Sequence, residues 1–187
     1  MGTFNDNNYM KILDFGCGNK KAKIENMTVV GVDNNPASDA DIIHDLDVFP
    51  YPFQNNEFDE IICSDVFEHL HNIPAVLNEL FRISKKGALV YVRTPHFSSA
   101  CAYIDPTHVR PFSVFSFDCF CKNPRIPSYF DKPLFVLKNS HISFPKFARI
   151  FLFPLVFLAN KFPLRYEQHF AFLLQAENIH LELIVVK

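Results

Sequence analysis

Short apolar runs that stop at a glycine, an acid or a proline recur through the first half of the chain. Residues 11–15 (KILDF) end at Gly16 and read as a buried strand closed by a glycine turn. Residues 28–33 (TVVGVD) form a second strand, rich in β-branched side chains and ending on an acid. Residues 41–45 (DIIHD) give a brief third and residues 58–64 (FDEIICS) a fourth. Between 73 and 84 the spacing changes: Val76, Leu77, Leu80, Phe81 and Ile83 fall near helical intervals, and Lys85-Lys86-Gly87 supplies the basic residues and glycine that suit a helix end. Residues 88–93 (ALVYVR) are a fifth strand, closed by Thr94-Pro95. Strands that alternate with a helix or a loop predict a mostly parallel α/β sheet.

The second half has less period. Residues 96–130 mix Pro, Phe and Ser without a repeat. Residues 134–137 (LFVL) and 179–186 (IHLELIVV) are strands, expected to pair antiparallel across a long insertion. Between them, 144–162 is strongly apolar and reads as one helix broken at Pro154, or as two short ones. The segments between the early strands are short. Gly18 to Thr28 leaves room for about two helical turns and Asp33 to Asp45 for hardly one, so the first helices are expected to be trimmed.

Composition narrows the class. The chain has 187 residues, 49% hydrophobic and 20% charged, which suits one globular domain with one core. A net charge of −2 gives no bulk attraction to nucleic acid. Five cysteines with no secretory signal predict reduced thiols and a cytoplasmic location. The longest apolar run, 150–159, is too short to span a bilayer and contains Pro154.

The candidate chemistry starts after the first strand. In Asp14-Phe15-Gly16-Cys17-Gly18 the glycines let the backbone approach a ligand, and Asp33 at the end of the second strand can accept hydrogen bonds from two ribose hydroxyls. A tight turn would use the same glycines. A dinucleotide fingerprint would place a third glycine at a helix start; Asn19 stands there, which disfavours a pyrophosphate and suits a nucleoside without phosphate.

Leu13 to Gly18 (LDFGCG) resembles motif I of the class I S-adenosylmethionine-dependent methyltransferases. Gly31-Val32-Asp33 looks like their second-strand acid, His44-Asp45-Leu46 like their adenine-contacting element, and residues 53–70 (FQNNEFDEIICSDVFEHL) like their FD…EHL block. Glu79 to Ile83 followed by Lys86 to Leu89 is similar to their ExxRxLKPGGxL segment. The resemblance covers 11–95 and implies an α/β Rossmann-like three-layer sandwich, its mostly parallel seven-stranded sheet ending in an antiparallel last strand. It implies S-adenosyl-L-methionine as cofactor. Gly16 and Gly18 would line its methionine part, with Asp14 orienting the amino group and Ser64 and Asp65 facing the tail. Asp33, with Asn34 beside it, would hold the ribose, and Asp45 and Leu46 the adenine. Each acid could instead be a helix cap or turn residue.

The chain is thus expected to be one domain, 1–187, with a cofactor core at 11–95 and substrate-covering insertions at 96–130 and 143–178. Substrate belongs at the carboxyl ends of the strands, where Thr94 to Ser99 and Asp105 to Phe112 (DPTHVRPF) begin. This block is similar to one found in a subset of these enzymes, some associated with cell-surface carbohydrate synthesis. His108 and His96 are the candidate general bases for methyl transfer to a small-molecule or glycan-like acceptor, with oxygen as the expected acceptor atom. Either His could instead cap a turn. His69, on one helical face with Asp65, is a further option. His96, Cys101, Asp105, His108, Cys119 and Cys121 match no standard zinc spacing, and no metal is expected. The apolar 144–162 segment reads as a lid packed on the core, or as a peripheral membrane or homodimer contact. The rival to an enzyme is a cofactor-binding scaffold without transferase activity. Nucleic-acid methylation is disfavoured, because Ser64-Asp65-Val66-Phe67 replaces an Asn/Asp-Pro-Pro-Tyr motif.

Overall fold

The computed structural model describes residues 10–127 and 132–187. Residues 1–9 and 128–131 lie outside it, and with them the N-terminal signal reading and the end of the 96–130 insertion. The strands are β1 (Lys11–Phe15), β2 (Thr28–Asp33), β3 (Ile42–Ile43), β4 (Phe58–Ser64), β5 (Ser84–Pro95), β6 (Phe135–Ile142) and β7 (Asn178–Val185). They form one sheet in the order β3-β2-β1-β4-β5-β7-β6. The first five run parallel, while β7 is antiparallel to both β5 and β6. The order reverses between β1 and β4, so a crevice opens at the carboxyl ends of those strands.

One face of the sheet carries the core. Leu13, Phe15, Val32, Ile61, Cys63, Val90, Val92, Leu181 and Leu183 alternate along their strands and are buried. Helix α1 (Ile73–Ile83) buries Ile73, Val76, Leu77, Leu80 and Ile83 in the same cluster. Asn72 caps it by accepting from the Ala75 amide, and Pro74 sits in its first turn. The helix stops at Ile83 rather than running to the Lys85-Lys86-Gly87 signal. Those residues form a bulge at the start of β5, with Gly87 at φ +80° and Lys85 paired to Asp59.

The opposite face is thinly covered. Among the described residues no helix separates β1, β2, β3 and β4; the trimmed helices expected from the sequence are loops. Lys21 and Cys17 pack over Gly31, where a Cβ would meet their side chains at 2.7 and 2.8 Å. Lys21 also reaches Asp41 at 2.7 Å, and the Asp41 carboxylate accepts from the Gly31 amide. The Ala22 amide of the same loop donates to Asp14 on this face. Further along the face, Ile62, Leu89, Tyr91, Glu182 and Ile184 remain half-exposed. His180 also lies there, stacked on His141 at 4.3 Å and 2°, and burial with His141 and Arg93 nearby pushes its pKa down to about 4.

β6 is twice as long as the apolar run LFVL predicts. Its continuation, Lys138 to His141, is polar because β6 is an edge strand with one open face. A one-turn helix, α2 (Cys101–Ile104), follows β5, and the apolar segment after β6 makes three short helices, α3 (Lys146–Phe151), α4 (Phe153–Lys161) and α5 (Pro163–His169). Pro154 and Pro163 sit in first turns, so they start helices here instead of interrupting one.

Candidate active site

The turn after β1 is built around two glycines. The amides of Gly16 and Cys17 both donate to the Val32 carbonyl, at 2.9 and 3.2 Å, which fixes the turn against β2. Gly16 has φ +74°, and a Cβ there would lie 2.5 Å from Val66 Cγ2, so Val66, two residues past β4, and the first glycine occupy adjoining space that admits no side chain. Gly18 has φ +52°, and nothing lies within 4 Å of where its Cβ would stand. The Gly18 amide donates to Asp33 Oδ2 at 2.8 Å and the Asn35 amide to Oδ1 at 2.9 Å. Each carboxylate oxygen retains a second acceptor site, and Asp33 is half-exposed toward the open space at Gly18. A nucleoside whose ribose hydroxyls need an acceptor fits this cradle.

The other predicted cofactor residues divide. Asp14 is buried and accepts from the Ala22 amide at 2.7 Å; burial pushes its pKa up. It therefore also ties down the loop that replaces the first helix. Asn34 is exposed beside Asp33. Asp45 is exposed and accepts from the Asp47 amide at 3.0 Å. Leu46 is buried, its carbonyl accepting from the Tyr51 hydroxyl at 2.8 Å. Ser64 is half-buried at the end of β4, and Asp65, at φ +53°, pairs with Arg93 of β5.

The three histidines have different surroundings. His96 is fully buried at the end of β5. Its Nδ1 meets Ser98 Oγ at 2.8 Å and its Nε2 meets Glu167 Oε1 at 3.2 Å. Glu167 also accepts from Ser113 Oγ at 2.5 Å and from the Val114 amide at 2.8 Å, so α5, the end of β5 and the 113–115 turn converge on one carboxylate. His108 is half-buried, 4.7 Å ring to ring from His69. Glu68, beneath them, is 2% exposed; its Oε2 accepts from Thr94 Oγ1 at 2.8 Å, and burial pushes its pKa up. Atoms of Glu68, His69 and His108 that can bind a metal all lie within 4.8 Å of one another. The Val109 amide donates to the Glu68 carbonyl at 2.7 Å, fastening the DPTHVR loop to the EHL turn.

The Glu68–His69–His108 cluster and the Glu167 hub escape sequence reasoning. Each joins residues far apart in the chain. Glu68 and His69 stand inside the recognised EHL, but nothing in the sequence pattern says that His108 folds back onto them.

A glycine-built turn with an acid at the next strand end, on a sheet of this order, defines a nucleoside-binding Rossmann-like protein. A family model described as a methyltransferase domain matches residues 3–149. The chain belongs to that family and is a class I S-adenosylmethionine-dependent methyltransferase, with S-adenosylmethionine as its cofactor. A solved S-adenosylmethionine-dependent methyltransferase from Archaeoglobus fulgidus shares 15% identity, with 95% of this chain and 86% of that one covered and a TM-score of 0.60. One from Mesorhizobium loti shares 15%, with 94% and 91% covered and a TM-score of 0.57. Phosphoethanolamine N-methyltransferase 2 from Haemonchus contortus, solved with S-adenosyl-L-methionine, shares 15%, with 95% and 49% covered and a TM-score of 0.56. No curated protein matches the chain.

Proposed function

We propose that this enzyme transfers the methyl group to a hydroxyl of a small-molecule or glycan-like acceptor. The observation that supports this is the convergence of Glu68, His69 and His108, three groups able to take or replace a proton, beside the ends of β4 and β5. A hydroxyl must shed its proton as it attacks, so an acceptor-rich cluster suits oxygen as the methylated atom. When bound, S-adenosylmethionine supplies a methyl carbon on a sulfonium, which forms a C–O bond as the C–S electron pair returns to sulfur.

In this reading Gly16, Gly18 and Asp14 surround the methionine portion, with Ser64 and Asp65 facing it from β4. Asp33 and Asn34 take the ribose, and Asp45 and Leu46 the adenine. His108 and His69 serve the acceptor's hydroxyl. His96, with both ring nitrogens engaged, serves the reaction by holding α5 and the 113–115 turn in place. The 11–95 core thus carries the cofactor, and the 96–130 and 143–178 insertions cover the acceptor. With methyl-labelled cofactor and a panel of hydroxylated sugars, label is expected in an alkali-stable ether. Label confined to amines or to alkali-labile esters would overturn the assignment to hydroxyl oxygen.

A second reading concerns location, and α3 to α5 support it. In these helices and the turn that follows α5, the small residues Ala148, Ala159 and Ala171 face inward, while Phe147, Phe151, Phe153, Phe157, Phe172 and Leu173 stand outward, each at least 60% exposed. This inverts the pattern of a lid packed on its own core. Lys146, Arg149, Lys161 and Arg165 are exposed on the same helices, and the one acid, Glu167, turns inward. Between α4 and α5 an apolar cavity of ≈490 Å³ is lined by Leu155, Phe162, Tyr166, Phe170 and Leu174. No described helix is long and apolar enough to cross a membrane. Apolar rings with a basic surround suit the interface of an anionic bilayer, so these helices rest on a membrane surface that the acceptor shares. The five cysteines are unpaired, which suits its cytoplasmic side. In sedimentation the protein is expected to pellet with phosphatidylserine-containing vesicles, and a Phe151→Asp/Phe172→Asp variant to stay in solution. Wild-type protein that stays in solution, or that forms a stable dimer in their absence, would contradict this reading.

A further inference from the structure

We infer that Glu68, His69 and His108 hold a divalent first-row transition-metal ion, of the zinc or cobalt kind, with coordination positions open to the acceptor. The hydrogen bonds around the cluster carry the argument. His108 Nδ1 lies 3.3 Å from the Ala102 carbonyl. A carbonyl only accepts, so Nδ1 carries a proton, and in the neutral ring Nε2 is then bare. His69 Nδ1 lies 2.9 Å from Thr107 Oγ1, and that hydroxyl already donates to Asp105 Oδ1 at 2.7 Å. Thr107 therefore accepts from His69, and in the neutral ring the Nε2 of His69 is bare as well. Two imidazoles that each commit one nitrogen to a backbone carbonyl or a carboxylate-anchored hydroxyl, and keep the other free, match the outer shell that orients metal-binding histidines.

The third member completes the set. Glu68 is buried, and its carboxylate accepts a hydrogen bond from Thr94 Oγ1. Among the described residues no ion pair reaches it: the nearby Arg93 is taken by Asp65. A ring nitrogen from each of His69 and His108 and a carboxylate oxygen of buried Glu68 thus lie within 4.8 Å of one another. Ligand atoms around an ion with bonds of about 2.0–2.2 Å stand roughly 3 to 3.5 Å apart, so a closure of at most about 1.3 to 1.8 Å completes the site. Two nitrogens and one oxygen favour zinc-like ions over magnesium or calcium. Three protein ligands leave room for a further one, as in catalytic rather than structural sites.

The binding claim stands by itself; its consequence rests on the proposed O-methylation. A hydroxyl bound at the open position loses its proton to water more readily because the ion stabilises the oxygen anion, and that oxygen then attacks the methyl carbon. His69 and His108 act in this scheme as ligands.

The test uses untagged full-length protein stripped with chelator and titrated with cobalt(II), read by visible absorption and by calorimetry with no acceptor present. One equivalent is expected to bind, with the d–d bands of a low-coordinate nitrogen–oxygen site. His69→Ala and His108→Ala should each weaken binding at least about hundredfold, and Thr107→Ala about tenfold, as loss of an outer-shell partner does. His169→Ala serves as the control and should bind as wild type does. Absence of binding at millimolar cobalt, or undiminished binding in both ligand variants, would overturn the site. If metal binds but no hydroxyl is methylated, the O-methylation reading fails and the metal site stands.

Discussion

Asp33→Ala is expected to weaken S-adenosylmethionine binding by at least about hundredfold. Hydrogen bonds to a charged group contribute about 1.5–3 kcal/mol each, and two ribose hydroxyls on one carboxylate therefore amount to about 3–6 kcal/mol, or two to four decades in Kd. Asp33 also holds the Gly18 amide at 2.8 Å and the Asn35 amide at 2.9 Å, so its removal loosens the glycine turn as well as the proposed ribose contact. Asp33→Asn keeps one accepting oxygen and should fall between the two. The residue is half-exposed, outside the core cluster, so the melting temperature should move little. Calorimetric titration of the variants checks this; an Asp33→Ala protein that binds cofactor like wild type would remove the ribose role.

Glu167→Ala is expected to cost about 3 kcal/mol or more in stability. Its carboxylate receives Ser113 Oγ, the Val114 amide and His96 Nε2, and its side chain is 8% exposed. Truncation strands these buried partners, at about 1–3 kcal/mol for each donor left unsatisfied. Urea unfolding should show a lower midpoint, and Glu167→Gln should recover part of the loss because it retains one acceptor. A midpoint shift worth less than about 1 kcal/mol would show that α5 does not depend on this hub.

Much of the cofactor half was legible in the sequence, because its signals are local. A strand that ends at Gly16, a strand that ends at Asp33 and a helical period at 73–83 each declare themselves within a few residues, and the structure places them as expected. The order of LDFGCG, GVD and EHL made the family recognisable. What the sequence concealed depends on neighbours distant in the chain. The length of β6 follows from its place at the sheet edge, where Lys138 and Asn139 can face solvent. The proline pattern at 154 and 163 admits breaks and starts equally; only the observed turns at Leu152 and Phe162 show that they are starts. Which side of the Phe-rich helices faces the core is also hidden, because Ala148 and Ala159 turn inward while Phe147, Phe151 and Phe157 turn outward.

The site was legible in part for the same reason. Asp33 and the glycines lie within one turn of their strands and are hydrogen-bonded together there. His108 meets His69 only because the Val109 amide and Arg110, which donates to the His71 carbonyl at 2.6 Å, pin the DPTHVR loop onto the segment after β4. No periodicity encodes that contact.

The central claim is that this pared-down sheet, with loops where its first helices would stand, still forms a working S-adenosylmethionine pocket. Calorimetric titration of S-adenosylmethionine into the wild-type protein tests it most directly. Saturable binding of one equivalent is predicted, blocked by prior saturation with S-adenosylhomocysteine. Absence of binding at millimolar cofactor, in protein shown to be folded by its cooperative melt, would contradict it.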